Sequence, residues 1–210
     1  MLWPLTSTRD LSLLEAIPEL NPLRCALFLI LGFILAGSAQ TWWFKSPRSA
    51  RFALPLDGGR TFRGRRLFGA NKTWKGFVVM VPAAMLAFAL LGATVRALPP
   101  LGEGLWPLTS LQYALLGGCA ALGFMLGELP NSFMKRQLGI APGSAPASAW
   151  GRWLCFTIDR LDSIIGLLLV VSLLVPLSWQ AWLFVLGVGP AIHWLFNVAL
   201  YVLGVKARPA

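Results

Sequence analysis

Five apolar stretches leave this chain little choice of fold: roughly Leu23–Trp43, Phe77–Leu98, Leu108–Leu126, Ile164–Leu177 and Trp182–Leu203. A helix crosses the hydrocarbon core of a bilayer with about 20 mostly apolar residues. With no water inside the bilayer, each segment must satisfy its own backbone groups, which helices do. The fourth stretch is short and borrows turns from the amphipathic residues that lead into it. Composition agrees, since 57% of the 210 residues are hydrophobic and only 12% charged. That is about half the charged share of a soluble domain. A soluble fold has no way to cover so much apolar surface, and a disordered chain does not carry it. The sequence predicts a single-domain, all-α integral membrane protein with about five transmembrane helices. Trp42, Trp43, Trp106, Trp179 and Trp182 fall at segment ends, where indoles meet lipid headgroups. Pro82 lies inside the second stretch, where neighbouring helices are expected to satisfy the carbonyl it frees.

The basic residues orient these helices. Lys45, Arg48, Arg51, Arg60, Arg63, Arg65, Arg66, Lys72 and Lys75 follow the first stretch; Lys135, Arg136, Arg152 and Arg160 follow the third; Lys206 and Arg208 end the chain. Fifteen of the 18 cations thus fall on one side, with Arg9, Arg24 and Arg96 opposite. The positive-inside rule makes the rich side cytoplasmic, placing the N-terminus outside, the C-terminus inside, and two functional loops, 44–76 and 127–163, in the cytoplasm. Residues 1–22 lack the basic and apolar regions of a cleavable signal. Leu11, Leu14 and Ile17 share one side of a short interfacial helix capped by Ser7 or Thr8. Cys25, Cys119 and Cys155 lie in apolar surroundings without the close spacing that zinc or redox chemistry needs.

Sorting the acids by the same topology puts Asp57, Glu128, Asp159 and Asp162 on the cytoplasmic side. Glu128 and Asp162 stand at the margins of apolar segments, where an unpaired carboxylate is expensive and is kept for a cation or a metal. In Asp159-Arg160-Leu161-Asp162-Ser163, helical spacing of three puts both carboxylates on one face. Two adjacent hard oxygen ligands open to water suit Mg2+ held through phosphates; the same spacing suits an acid pair bridged to nearby cations. The first loop, from Leu54 to Gly76, intersperses its cations with five glycines (the last of them Gly76), Asp57 and an Asn71-Lys72-Thr73-Trp74 cluster. Glycine lets the backbone approach a ligand, and Arg or Lys neutralises phosphate, so the loop reads as phosphate-binding rather than merely basic. Lys72 and Thr73 come two residues too late after Gly64 and Gly69 for a Walker A loop. The single histidine, His193, reads as a helix contact, which disfavours chemistry needing an imidazole base. Attack by a phosphomonoester on a nucleotide's α-phosphorus needs none, because the monoester is already largely ionised.

These blocks resemble a known family. Pro55–Gly76 is similar to the first cytoplasmic loop of CDP-archaeol synthases. Gly127–Gly139 resembles their Gly-Asp…Ser-Phe-x-Lys-Arg-Arg-Leu-Gly segment, and Asp159–Ser163 the Asp-Arg-x-Asp-Ser ending of the wider phosphatidate cytidylyltransferase signature. The tail, with His193, Asn197, Tyr201 and Gly204, resembles the archaeol group's last span. Four blocks in order, over about residues 50–206, make the likeness specific.

The resemblance implies a plasma-membrane cytidylyltransferase facing the cytoplasm. It would convert a lipid phosphomonoester of archaetidic or phosphatidic type and CTP into a CDP-lipid and pyrophosphate, with Mg2+. Carried over by position, Asp159, Asp162 and Glu128 become the metal-binding acids, and Lys135 and Arg136 join them as catalytic residues. Asp57, Arg60, Arg65, Arg66, Asn71, Lys72, Thr73, Lys75 and Ser132 become the CTP- and phosphate-binding set. The chain departs from the pattern at Arg63-Gly64 for Asp-Gly, at Gly58 for Phe, at Glu128 for Asp, and in a longer, more aromatic segment 141–157. The competing expectation is a non-catalytic protein binding anionic lipid or a partner through its basic face. Nucleic acid is excluded as a partner, because the cations sit in membrane loops without a recognition module.

Overall fold

The computed structural model describes residues 19–144 and 146–205. The N-terminal amphipathic segment, Arg9, Lys206 and Arg208 lie outside them. Five long helices make up the bundle: α1 Pro22–Lys45, α2 Trp74–Ala97, α3 Ser110–Gln137, α4 Ala149–Leu174 and α5 Trp179–Val202. Their starts follow local chemistry. Asn21 caps α1, its Oδ1 accepting from Arg24 N–H at 3.1 Å, with Pro22 in the first turn. Thr109 and Gln112 form a reciprocal capping box on α3, and Ser148 and Ser178 cap α4 and α5. Pro176 holds Val175 extended and so ends α4.

α1, α2, α3 and α5 are each long and apolar enough to cross a membrane. α4 is as long, but Asp159, Arg160 and Asp162 interrupt it. Its uncharged part, from Ser163 to Leu174, spans only about 18 Å at 1.5 Å per residue; of the three charges before it, Arg160 is buried, Asp162 half-buried and Asp159 exposed. Two stretches expected as loop prove helical. α3 runs unbroken through Pro130 to Gln137, and α4 begins at Ala149, so most of 127–163 is helix. Pro130 removes one backbone donor where the helix is leaving the apolar layer, and polar surroundings can satisfy the freed carbonyl.

Small residues let the helices close. A Cβ on Gly166 of α4 would stand 2.3 Å from the carbonyl oxygen of Gly123, and one on Gly127 2.5 Å from that of Asp162. Gly123 and Gly127 have the four-residue spacing that allows backbones to touch in lipid. On α2, Ala84 meets Gly117 of α3 in the same way. The far end of the bundle is fastened by Phe28, Phe88, Tyr113 and Trp106. Tyr113 donates to Trp106 O (2.6 Å), Trp106 Nε1 to Pro176 O (2.7 Å) and Arg24 to Glu103 O (2.7 Å). Trp106, expected at the headgroups, is therefore a buried tie, whereas Trp42 and Trp179 are exposed.

Candidate active site at the rim of the bundle

The segment joining α1 to α2 starts with the 3-10 helix Pro47–Phe52 and then folds into a closed loop. Leu56 N–H donates to Lys72 O and Trp74 N–H to Leu54 O, tying the loop at its base. Its tip is a two-stranded hairpin, β1 Thr61–Phe62 with β2 Arg65–Arg66. Both turn residues, Arg63 and Gly64, have positive φ, as a two-residue hairpin turn requires. Asp57 organises the loop from within. It is 3% exposed, and its Oδ1 accepts from Gly59 N–H and pairs with Arg66, while Oδ2 accepts from the N–H groups of Phe68 and Gly69. Burial raises its pKa, but Arg66 and the three backbone donors outweigh burial and hold the carboxyl well below the usual range. Both Asp57 oxygens are thus engaged in folding the loop rather than turned to a ligand.

Because α3 stays helical past Pro130, Glu128, Asn131 and Lys135 share one face at spacings of three and four. The glycine seam presses that face against Asp159, Asp162 and Ser163 of α4. Asn131 Nδ2 donates to Asp159 at 2.6 Å and to Asp162 at 2.7 Å, so one amide bridges two acids. Ser163 Oγ lies 2.9 Å from Glu128 Oε1 and 3.2 Å from Asp162 Oδ1, which ties the third. Lys135 pairs with Asp159, and Lys72, reaching in from the loop, pairs with Glu128. Burial lowers the Lys72 pKa, yet the Glu128 carboxylate beside it prevails and raises it, so this amine stays charged at neutral pH.

Of the acids singled out from the sequence, Glu128, Asp159 and Asp162 are linked through Asn131 and Ser163, and Glu128 through Lys72 to the Asn71–Lys75 turn, whereas Asp57 stays within the loop. Asn131 and Ser163, which hold them, were not among the expected site residues. Ser163 was visible in the Asp-Ser ending; Asn131 gains its facing only from the helix continuing past Pro130. Among the described residues no group of three or more His, Cys, Asp or Glu side chains is arranged to hold a metal ion. The donor chemistry still fits Mg2+. This ion takes hard oxygens and usually needs one or two carboxylates beside substrate phosphates, and Glu128 and Asp162 share one hydroxyl partner.

Beside this cluster a cavity of about 430 Å3 runs into the bundle. Leu29, Phe33, Met80, Phe124, Val185 and Phe196 give it apolar walls, while Asn71, Lys72, Thr73, Lys75 and Glu128 form a polar margin. Lys75 also donates to Phe44 O at 3.3 Å and sits over that ring. His193 and Asn197 line the cavity too, with the His193 ring 5.7 Å from that of Phe124. Arg65, Arg66 and Arg136 border a separate hollow; Asp57, Arg60, Ser132, Lys135, Asp159 and Asp162 border neither.

A bundle of apolar helices whose interior cavity is apolar inside and charged at one margin defines a membrane protein suited to a molecule with a greasy body and a polar head. Comparison with known proteins narrows the class. A family described as CarS-like, CDP-archaeol synthase, matches residues 51–209. The CDP-archaeol synthase of Halobacterium salinarum is 36% identical over 163 residues, covering 74% of this chain and 82% of the relative. That of Pyrococcus furiosus is 30% identical over 197 residues, covering 90% and 99%. A solved structure described as an intramembrane enzyme for archaeal membrane lipids biosynthesis superposes with a TM-score of 0.57 at 25% identity, covering 86% of this chain and 97% of that one. The chain belongs to the CDP-archaeol synthase family, and with it to the membrane-bound, CTP-dependent cytidylyltransferases that make CDP-lipids. That membership sets aside the non-catalytic reading.

Proposed function

We propose that this protein transfers the cytidylyl group of CTP to a lipid phosphomonoester of the archaetidic or phosphatidic type, at the cytoplasmic rim of the plasma membrane. The observation that carries this reading is the cavity that joins apolar walls to a margin of Asn71, Lys72, Thr73, Lys75 and Glu128. Lipid chains lie against the walls, and the phosphate meets the two ammonium groups at the margin. A phosphate oxygen attacks the α-phosphorus of CTP; the new P–O bond forms as the bond to the β-phosphate bridging oxygen breaks, and pyrophosphate leaves. The attacking group arrives ionised, so the chain's task is positioning and charge neutralisation. Lys72 and Lys75 neutralise the phosphates, and Asn131 and Ser163 keep the acids aligned. Glu128 and Asp162, with Asp159 beside them, would hold Mg2+, which when bound offsets charge on the nucleotide phosphates. The fifteen cations on one side support a cytoplasmic site.

The test supplies purified protein with labelled CTP, Mg2+ and either archaetidic or phosphatidic acid. CDP-lipid should form with at least one of them. No product from either, where a relative works in parallel, would refute the proposal. Asp162→Asn should abolish turnover with expression intact, and retained turnover would remove Asp162 from the site.

A further inference from the structure

The hollow apart from the main cavity has a volume of about 300 Å3 and is bordered by Arg65, Arg66, Gly69, Arg136, Gly139 and Ile140. The loop hairpin docks there on the end of α3: Arg65 donates to Gln137 O, and Gln137 Nε2 to Arg66 O at 3.5 Å. Arg136 is 9% exposed, and its buried Nε has no hydrogen-bond partner; the buried Nε of Arg66 has none either. The nearby acids are already engaged, Asp57 with Arg66 and Asp159 with Lys135. Arg66 has Asp57 for its Nη2, but Arg136 has no ion pair among the described residues, and a buried charge left uncompensated is costly, so Arg136 is the group that an anion in the hollow would neutralise. The backbone makes room for such a group. Gly69 has φ +99°, and a Cβ there would crowd Arg136 Nη1 at 3.0 Å. α3 ends in a Schellman turn, with Gly139 N–H donating to Arg136 O and Ile140 N–H to Lys135 O, so no side chain at Gly139 fills the hollow.

We propose that Arg136, Arg66 and Arg65 form a second anion site that takes a phosphate or diphosphate group. Planar guanidinium forks suit phosphate oxygens, which accept several donors at once. The site's neighbour in the chain favours a diphosphate. Lys72 N–H donates to Gly69 O at 3.2 Å, so one turn links Gly69 in the hollow to Asn71 and Lys72 at the cavity margin. A pyrophosphate leaving that margin would find the hollow one turn away. This choice of occupant rests on the cytidylyltransferase reading; the site itself does not.

The test uses the full chain in nanodiscs of zwitterionic lipid, in magnesium-free buffer, with inorganic pyrophosphate as the probe. Binding is read by calorimetric titration and by the shift in melting temperature. Wild type should bind and be stabilised. Arg136→Met should weaken binding roughly tenfold or more, the loss expected for charged hydrogen bonds. Without pyrophosphate its melting temperature should equal or exceed that of wild type. Arg65→Gln, on the exposed rim, should weaken binding several-fold, and a melting temperature close to that of wild type would show that losing its bond to Gln137 O leaves the fold in place. A parallel arm replaces pyrophosphate by phosphatidate in the nanodisc. An Arg136-dependent response confined to that arm assigns the hollow to a lipid headgroup, and one confined to pyrophosphate assigns it to the free anion. Unchanged affinity in both variants, or no response in either arm, overturns the site. Arg136-dependent binding by a protein that forms no CDP-lipid would keep this site and remove the catalytic reading; turnover without such binding would do the reverse.

Discussion

Gly166→Ala tests whether the glycine seam between α3 and α4 sets the site's geometry. The new Cβ would lie 2.3 Å from Gly123 O and 2.8 Å from Gly127 Cα, both backbone atoms that cannot rotate away. Ordinary contact begins near 3.5 Å, so the helices must part by about 1 Å. Glu128 lies on one side of that seam, and Ser163 and Asp162 on the other. The Ser163–Glu128 bond of 2.9 Å would stretch to about 3.9 Å and cease to be one. A displacement of about 1 Å in a positioned site can cost on the order of 100-fold in rate. Stability should suffer much less. Overpacking costs about 1–3 kcal/mol, and replacing a helical glycine by alanine returns about 1 kcal/mol. CDP-lipid formation and thermal unfolding, measured on one preparation, separate the two effects. Gly187→Ala is the control, because a Cβ there meets nothing within 4 Å; it should keep its activity and melt no lower than wild type. If Gly166→Ala turns over within about twofold of wild type while folded, or the control loses as much, the seam does not position the acids.

Two further predictions follow from the charge pairs. Lys72→Met leaves Glu128 without its cation and should cost about 3 kcal/mol of stability along with turnover. Adding Glu128→Gln should restore the melting temperature but not the activity, and a double variant as unstable as the single one would show that the pair is not the cause. Asp57 is held below its unfolded value of about 3.9, so its contribution is complete above about pH 4 and is lost as pH falls through the folded pKa. Hydrogen exchange at Phe68 and Gly69 should accelerate in wild type as pH drops below about 4, after correction for the intrinsic rate. In Asp57→Asn it should already be fast at neutral pH; equal protection in the variant would refute the assignment.

The membrane helices were readable because a bilayer enforces one rule, a run of apolar residues, that neighbouring helices do not override. α1, α2 and α5 lie within a few residues of the apolar stretches that announced them. The rule failed where it stops applying. Once α3 leaves the apolar layer, hydropathy carries no signal, and Pro130 suggested an end that the helix does not have. The amphipathic start of α4 gave no apolar run to count. Both misses hid the facing of the same residues. With 127–137 taken as loop, Asn131 had no reason to face Asp159 and Asp162; with the helix intact, its position three residues after Glu128 dictates it. The sequence reads His193 as a helix contact, and only the packing of α5 shows that it also lines the cavity.

The basic loop posed a question that composition leaves open, because positive-inside charge and phosphate binding call for the same residues. Pairing separates them. Lys45, Arg48, Arg51, Arg60 and Arg63 are exposed, as charges that merely face headgroups should be. Arg66, Lys72 and Lys75 instead point inward, to the Asp57 carboxylate, the Glu128 carboxylate and the Phe44 carbonyl. Arg65, though exposed, reaches the Gln137 carbonyl across the loop. The inward set belongs to the half of the loop that carries the hairpin and the Asn71-Lys72-Thr73 turn, where glycines allow the backbone to bend the cations back toward the bundle. A topology signal alone would have no reason to spend Asp57 and four backbone-shaping glycines on holding those cations in place. The inward-turned cations are therefore the ones the protein's own carboxylates and carbonyls hold in place, and the exposed ones are those a positive-inside rule alone accounts for.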